Sequence, residues 1–238
     1  MVATESVGNA EMTVINISEL TTADSDVVRL VLEAQGERAV AFDIGGVLLD
    51  GGLMSSAGED AAFLALEERF GIPRAVGAQI WCDLLDASER GEIAEAVVFE
   101  TLAAAGDDCD PNLIRQTLLD MPRPVSNTVT ILETLHERGW RTAAASNHLM
   151  GWAAEWKRRF SWFELLDTVV ISSDIGVRKP SDEFFAELSR RMGVTGAWFI
   201  DDRLENIQGA ERSGFRGIWV APDGMWVARN ASAMSASS

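Results

Sequence analysis

Arg38-Ala39-Val40-Ala41-Phe42-Asp43-Ile44-Gly45-Gly46-Val47-Leu48-Leu49-Asp50 is the stretch on which the reading of this sequence turns. A short apolar run that ends in a carboxylate and is followed at once by two glycines predicts a buried parallel strand delivering Asp43 to the carboxyl edge of a sheet. Open α/β sheets hold their ligands at that edge. Gly45 and Gly46 remove side chains just beyond the acid, so a substrate or metal can approach the backbone closely. A strand-end Asp is common in α/β proteins; the later segments are what give this one weight.

Downstream of a glycine-rich bend at Gly51-Gly52, four segments carry apolar residues at three- and four-residue spacing: Glu59 to Phe70, Arg74 to Leu85, Glu92 to Ala104 and Pro111 to Leu119. They predict a helical insert without strands, closed by the two prolines of Met121-Pro122-Arg123-Pro124. From Ser126 the pattern alternates. Helices over Ser126 to Arg138, Trp152 to Phe160, Glu183 to Met192 and Glu205 to Ser213 are interleaved with strands over Arg141 to Ser146, Thr168 to Ser172, Ala197 to Asp201 and Phe215 to Val220. Such alternation predicts an α/β fold, a Rossmann-like doubly wound parallel sheet with an inserted alpha-helical cap. The expected organisation is an extension over 1–37 with one helix at Ser25 to Gln35, a core formed by 38–52 and 124–229, a cap over 53–123, and a low-complexity mobile tail over 230–238.

Three more strand ends carry chemistry. Ser146-Asn147 places a hydroxyl and an amide beside a helix start, a pattern that suits phosphate oxygens and is also ordinary capping chemistry. Lys179-Pro180 offers a point charge to an anion. Asp201-Asp202 sets two acids at the end of the apolar run Trp198-Phe199-Ile200, which is costly without a cation or donors and points to Mg2+.

The 238 residues carry 20 Lys and Arg against 37 Asp and Glu, a net charge of −17, which argues against nucleic-acid and anionic-membrane partners. No basic region leads into an apolar one at the N-terminus, and no run approaches the roughly 20 apolar residues of a membrane span, so a cytoplasmic protein is expected. Cys82 and Cys109 stand far apart without a ligand-spaced His and read as free thiols.

Together, Phe42-Asp43-Ile44-Gly45-Gly46-Val47, Arg90-Gly91-Glu92-Ile93, Ser173-Asp174-Ile175-Gly176-Val177-Arg178-Lys179-Pro180 and Ile200-Asp201-Asp202-Arg203-Leu204-Glu205-Asn206-Ile207-Gln208-Gly209-Ala210 resemble the haloacid dehalogenase-like (HAD) superfamily. The resemblance runs from about Arg38 to Val220. It is strongest to subfamily I with a helical C1 cap, in the branch of sugar-1-phosphate phosphatases and the phosphatase domain of soluble epoxide hydrolases. It implies a Mg2+-dependent phosphatase of a small phosphorylated substrate. Asp43 would be the nucleophile that forms an aspartyl-phosphate. Asp43, Asp202 and the Gly45 carbonyl would hold Mg2+, with Asp201 orienting Asp202 or a metal-bound water. Ser146 and Asn147 would bind phosphoryl oxygens, and Lys179 would neutralise charge on Asp43 and the phosphate.

The sequence departs from this pattern at one position. Most phosphatases of the family carry a second Asp two residues after the first to protonate the leaving oxygen, and here that residue is Gly45. Asp50, His148, Asp86 and Glu89 are the candidate replacements. The departure keeps two alternatives open: a catalytically silent binding or scaffold protein, and a 2-haloacid dehalogenase, whose halide needs no proton but which also needs no Asp pair. Trp81, Trp152 and Trp156 read first as core residues and second as an apolar wall for an organic leaving group.

Overall fold

A computed structural model of the chain describes residues 3–7, 10–16, 31, 36–107, 109–222 and 224–229. It begins with strands β1 (Ala3–Val7) and β2 (Ala10–Asn16), followed by β3 (Ala39–Phe42), the strand that ends just before Asp43. A two-residue strand β4 (Leu49–Asp50) and a 3-10 turn at Gly52–Met54 lead into four helices: α1 (Ser56–Phe70), α2 (Arg74–Glu89), α3 (Glu95–Ala104) and α4 (Pro111–Leu119). The chain returns through β5 (Arg123–Pro124). It then alternates α5 (Ser126–Glu137), β6 (Arg141–Ser146), α6 (Trp152–Arg159), β7 (Thr168–Ile171), α7 (Ser172–Ile175), α8 (Asp182–Met192), β8 (Trp198–Asp201), α9 (Leu204–Arg212), β9 (Arg216–Val220) and β10 (Met225–Arg229).

The main sheet has the order β1-β2-β10-β9-β8-β3-β6-β7. Its β9-β8-β3-β6-β7 half is parallel, with β3 at the centre between β8 and β6. This is the doubly wound α/β arrangement that the alternating pattern predicts. The strand order reverses beside β3, so the crevice beyond its carboxyl end lies at the switch point where such sheets bind ligands.

Period-two alternation sorts the strands onto two cores. Ala39 and Ala41 of β3 face the layer of α8 and α9, where Phe184, Phe185, Phe199 and Phe215 form a ring cluster with centroids 5.2 to 6.2 Å apart. Val40 and Phe42 face the opposite layer, which runs without a break into the inserted helices through Phe63, Leu66, Trp81, Phe99 and Leu102. Each fully buried side chain of this size contributes about 1.5–3 kcal/mol. The insert is fastened at its neck by the antiparallel β4–β5 pair, Leu49 against Pro124 and Asp50 against Arg123. Asp110 starts α4, its carboxylate accepting from the Asn112 N–H at 2.9 Å with Pro111 in the first turn.

Two regions differ from the reading of the sequence. The early residues, read as an extension, add β1 and β2 to the sheet, and Met225–Arg229, which the reading passed over, forms the antiparallel link between them and β9. The helix expected over Ser25 to Gln35 and the tail expected over 230–238 lie outside the described residues, apart from Val31, which is helical and buried. Among the described residues, no helix is long and apolar enough to cross a membrane.

Candidate active site

Four strand ends of the parallel half meet at one cavity of about 70 Å3, lined by Asp43, Gly45, Ser146, Asn147, Lys179 and Asp202 from the sheet edge and by Trp81, Leu85 and Glu89 from α2. Asp43 sits one residue beyond β3 and is tied to the sheet by its N–H, which donates to the Ile200 carbonyl at 2.8 Å. One oxygen of its carboxylate accepts from the Ile44 N–H at 2.6 Å, and the other meets the Lys179 ammonium at 2.9 Å.

Lys179 is buried and bridges two acids, with its Nζ 2.7 Å from Asp201 Oδ2 and 2.9 Å from Asp43 Oδ2. Burial alone would push its pKa down, but the Asp201 and Asp43 carboxylates facing it hold it above the usual lysine range. Its main chain is clamped by Asn147, whose amide oxygen accepts from the Lys179 N–H at 2.8 Å and whose amide nitrogen donates to the Lys179 carbonyl at 2.9 Å. Both ends of the amide expected to bind phosphate are therefore engaged in fixing the lysine. Ser146, buried at the end of β6, keeps its place on the cavity wall.

The two acids at the end of β8 have different surroundings. Asp201 is fully buried and accepts from the Lys179 ammonium, the Arg203 N–H at 2.8 Å and the Asn206 amide at 3.0 and 3.1 Å. Burial pushes its carboxyl up to about 7, against the pull of Lys179. Asp202 is half-buried and faces the cavity, and among the described residues no cation pairs with it. Burial and the neighbouring Asp201 push its carboxyl up to about 6. Asp43, Asp201 and Asp202 each offer an oxygen within 4.8 Å of the others, an arrangement that favours a bound cation.

Gly45 and Gly46 are required by close approach. A side chain at Gly46, where φ is +70°, would start 2.4 Å from Asp202 Oδ2. At Gly45 a Cβ would lie 2.5 Å from the Met54 carbonyl oxygen. The space that an acid at this position would occupy has been taken by backbone, so Gly45→Asp demands a movement of the 3-10 turn.

The other candidates separate clearly. His148 is buried, its Nδ1 accepting from the Leu149 N–H at 2.9 Å, with Trp152 and Trp156 centroids at 4.5 and 4.8 Å, and burial lowers its pKa to about 3. It is a neutral wall residue. Asp50 is exposed and accepts from Gly51 N–H and Ser55 Oγ. Asp86 is exposed; burial pushes its carboxyl up, but the Arg178 and Arg90 guanidiniums together outweigh this and hold it below the usual range. Glu89 is buried on the cavity wall, 2.5 Å from Arg178, and its carboxyl is pushed up by burial. Trp152 and Trp156 are core residues, Trp152 stacking on Phe99 of α3, whereas Trp81 lines the cavity.

Sequence reasoning assigned no role to Asn206, although it stands five residues after Asp201 in the first turn of α9. It named Trp81 and Glu89 separately but did not align them on one wall, because it ended α2 at Leu85. The helix continues to Glu89, so Trp81, Leu85 and Glu89 recur at four-residue spacing on one face.

A family model described as haloacid dehalogenase-like hydrolase matches residues 37–214. A curated relative, glyceraldehyde 3-phosphate phosphatase of Methanopyrus kandleri, is 31% identical over 125 residues, 48% of this chain and 53% of its own length. The chain thus spans about half the length of that relative. A HAD family enzyme of Bacteroides thetaiotaomicron, solved with magnesium and inorganic phosphate, is similar in fold at 17% identity and a TM-score of 0.64, over 77% of this chain and 94% of that one. The L-2-haloacid dehalogenase of Xanthobacter autotrophicus gives 20% identity and a TM-score of 0.58, over 78% of each chain. With the fold, the strand-end acids and a model covering most of its length in agreement, this chain belongs to the haloacid dehalogenase-like hydrolases.

Proposed function

We propose that the chain is a Mg2+-dependent phosphatase acting on a small phosphorylated metabolite of the sugar-phosphate class. The observation that carries this reading is the convergence of Asp43, Lys179 and Asp202 on one small cavity, with Lys179 pairing Asp43 and Asp201 and an oxygen of Asp202 within 4.8 Å of both acids. The unpaired Asp202 carboxylate beside that of Asp43 fits a hard cation with oxygen ligands, and Mg2+ would be held by these two and the Gly45 carbonyl. Mg2+ would neutralise the incoming phosphate and offset the repulsion among the acids. Asp201 fits a positioning role better than a ligand role, because its oxygens are already engaged by Lys179, Arg203 and Asn206.

In this reading Asp43, oriented by the Ile44 N–H and Lys179, attacks phosphorus through a carboxylate oxygen and is released when water attacks the aspartyl-phosphate. Lys179 screens the approach of the anion to the carboxylate, and Ser146 with the main chain at Asn147 receives phosphoryl oxygens. The core over 38–52 and 124–229 supplies these groups, while the cap over 53–123 covers the crevice and excludes water that would compete for the phosphoryl group. The named activity of the Methanopyrus relative supports a sugar-phosphate substrate, and a cavity of about 70 Å3 suits a short carbon chain. A dehalogenase reading gives no use for the crowded acids around Asp202.

The test is release of phosphate from p-nitrophenyl phosphate and from a panel of triose, pentose and hexose phosphates, with Mg2+ and with excess EDTA. Turnover that requires Mg2+ and is greatest on a small sugar phosphate supports the reading. Binding of phosphate esters without turnover would move the protein to the silent class, and metal-independent halide release from 2-haloacids to the dehalogenases.

A further inference from the structure

We infer that Glu89, carried by the inserted helix α2, is the group that protonates the leaving oxygen in place of the acid absent at Gly45. The inference rests on the phosphatase reading above. Its first support is steric: the Met54 carbonyl closes the space beside Gly45, so a proton donor must enter from another element.

The second support is placement. Trp81, Leu85 and Glu89 form one stripe along α2, so the helix presents two apolar side chains and then a carboxyl to the cavity that holds Asp43. The end of α2 is pinned against the sheet edge. Gly91 lies so close to Ser173 that a Cβ there would sit 2.5 Å from its carbonyl oxygen, and Arg178 reaches back to both Asp86 and Glu89. The carboxyl is thereby fixed to the same core segment that carries Lys179.

The surroundings suit a group that must hold a proton and then release it. Burial favours the protonated form, and Asp86 adds to this, while Arg178, Arg203 and Lys179 favour the carboxylate. A proton given to the leaving oxygen leaves a carboxylate already faced by the Arg178 guanidinium. The step balances. As Asp43 bonds to phosphorus, the bond to the leaving oxygen breaks, its electron pair stays on that oxygen, and the Glu89 proton converts it to an alcohol. Water then attacks the aspartyl-phosphate, passes a proton to Glu89, and the bond to Asp43 breaks to release phosphate. Glu59, half-buried in the first turn of α1, is the other glutamate on the cavity wall and the natural rival.

The test compares an alkyl phosphate, whose alkoxide needs a proton, with p-nitrophenyl phosphate, whose phenolate does not. In the full chain with Mg2+, single-turnover release of the alcohol is measured for glycerol 1-phosphate, glycerol 2-phosphate and glyceraldehyde 3-phosphate, and release of p-nitrophenol for the aryl ester. Glu89→Gln should lower the alkyl-to-aryl rate ratio by about 10²- to 10⁴-fold, and Glu89→Asp should restore part of it. The inference is overturned if E89Q slows both esters equally, if E59Q shifts the ratio instead, or if the unaltered protein cleaves the aryl ester but no alkyl phosphate. A protein that cleaves neither with Mg2+ present overturns the phosphatase reading itself.

Discussion

The sheet edge and the helical wall opposite it enclose the same cavity but are built on different principles. At the sheet edge the buried charges are held by several partners at once: Lys179 by Asp43, Asp201 and the Asn147 clamp, and Asp201 by Lys179, Asn206 and the Arg203 N–H. The wall on α2 is an apolar stripe with a single carboxyl, and it is joined to the core through the ion pairs of Arg178 with Asp86 and Glu89. The difference teaches where each property resides. Strand ends fixed by a hydrogen-bonded ladder hold reacting groups with little freedom, which bond-making requires. A helix packed on apolar contacts can change its residues one at a time, which the choice of substrate requires.

The contrast breaks most plainly at Asp43. Asp43→Asn should lower the rate for every phosphate ester by about 10⁶-fold, the loss that follows removal of a covalent nucleophile, read as kcat across the substrate panel. A loss confined to some substrates would mean that the sheet edge also selects. Lys179→Met should lower kcat by about 10²- to 10³-fold on all substrates. It should also cost about 3–5 kcal/mol in urea unfolding, since Asp43 and Asp201 lose the buried cation between them.

His148 tests the seam between the two regions, because it packs on Trp152, which in turn stacks on Phe99 of the insert. Its folded pKa of about 3 lies below the ordinary 6.5, so the unfolded chain takes up a proton that the folded protein refuses. This contribution is intact above pH 6.5 and is lost as pH falls toward 3, amounting to about 2 kcal/mol by pH 5. Asp201 and Asp202, with carboxyls pushed up to about 7 and about 6, act in the opposite sense. The measurement is therefore the difference in unfolding free energy between the unaltered protein and His148→Gln at pH 7 and pH 5. A difference that does not change with pH would show that the imidazole is not held neutral. The smallest effect belongs to the wall. Trp81→Phe should shift the relative KM of small and large sugar phosphates by about 5-fold, roughly 1 kcal/mol, with little change in kcat. A larger effect on kcat than on KM would erase the division of labour.

Much of this architecture can be read along the chain because it is local. Apolar runs of four to six residues ending in Asp43, Ser146 and Asp201, separated by helices of about ten, are short-range patterns, and the parallel half of the sheet follows them closely. Other features depend on partners remote in sequence. Met225–Arg229 follows Ala221-Pro222-Asp223-Gly224, which carries a turn signal, but its strand exists by pairing with residues more than 200 positions earlier. The sequence pattern ends α2 at Leu85 and places the break at Arg90-Gly91; the helix runs on to Glu89, and Gly91 just beyond it packs on Ser173.

By itself the sequence determined the order of elements, the residue types at the strand tips and the absence of an acid at Gly45, because each is written in a window of a few residues. Only the tertiary structure decided that Asn147 clamps Lys179, that Asp201 is engaged while Asp202 is open to the cavity, and that Met54 occupies the space beside Gly45. These depend on distances between atoms tens of residues apart, and those distances are set by packing.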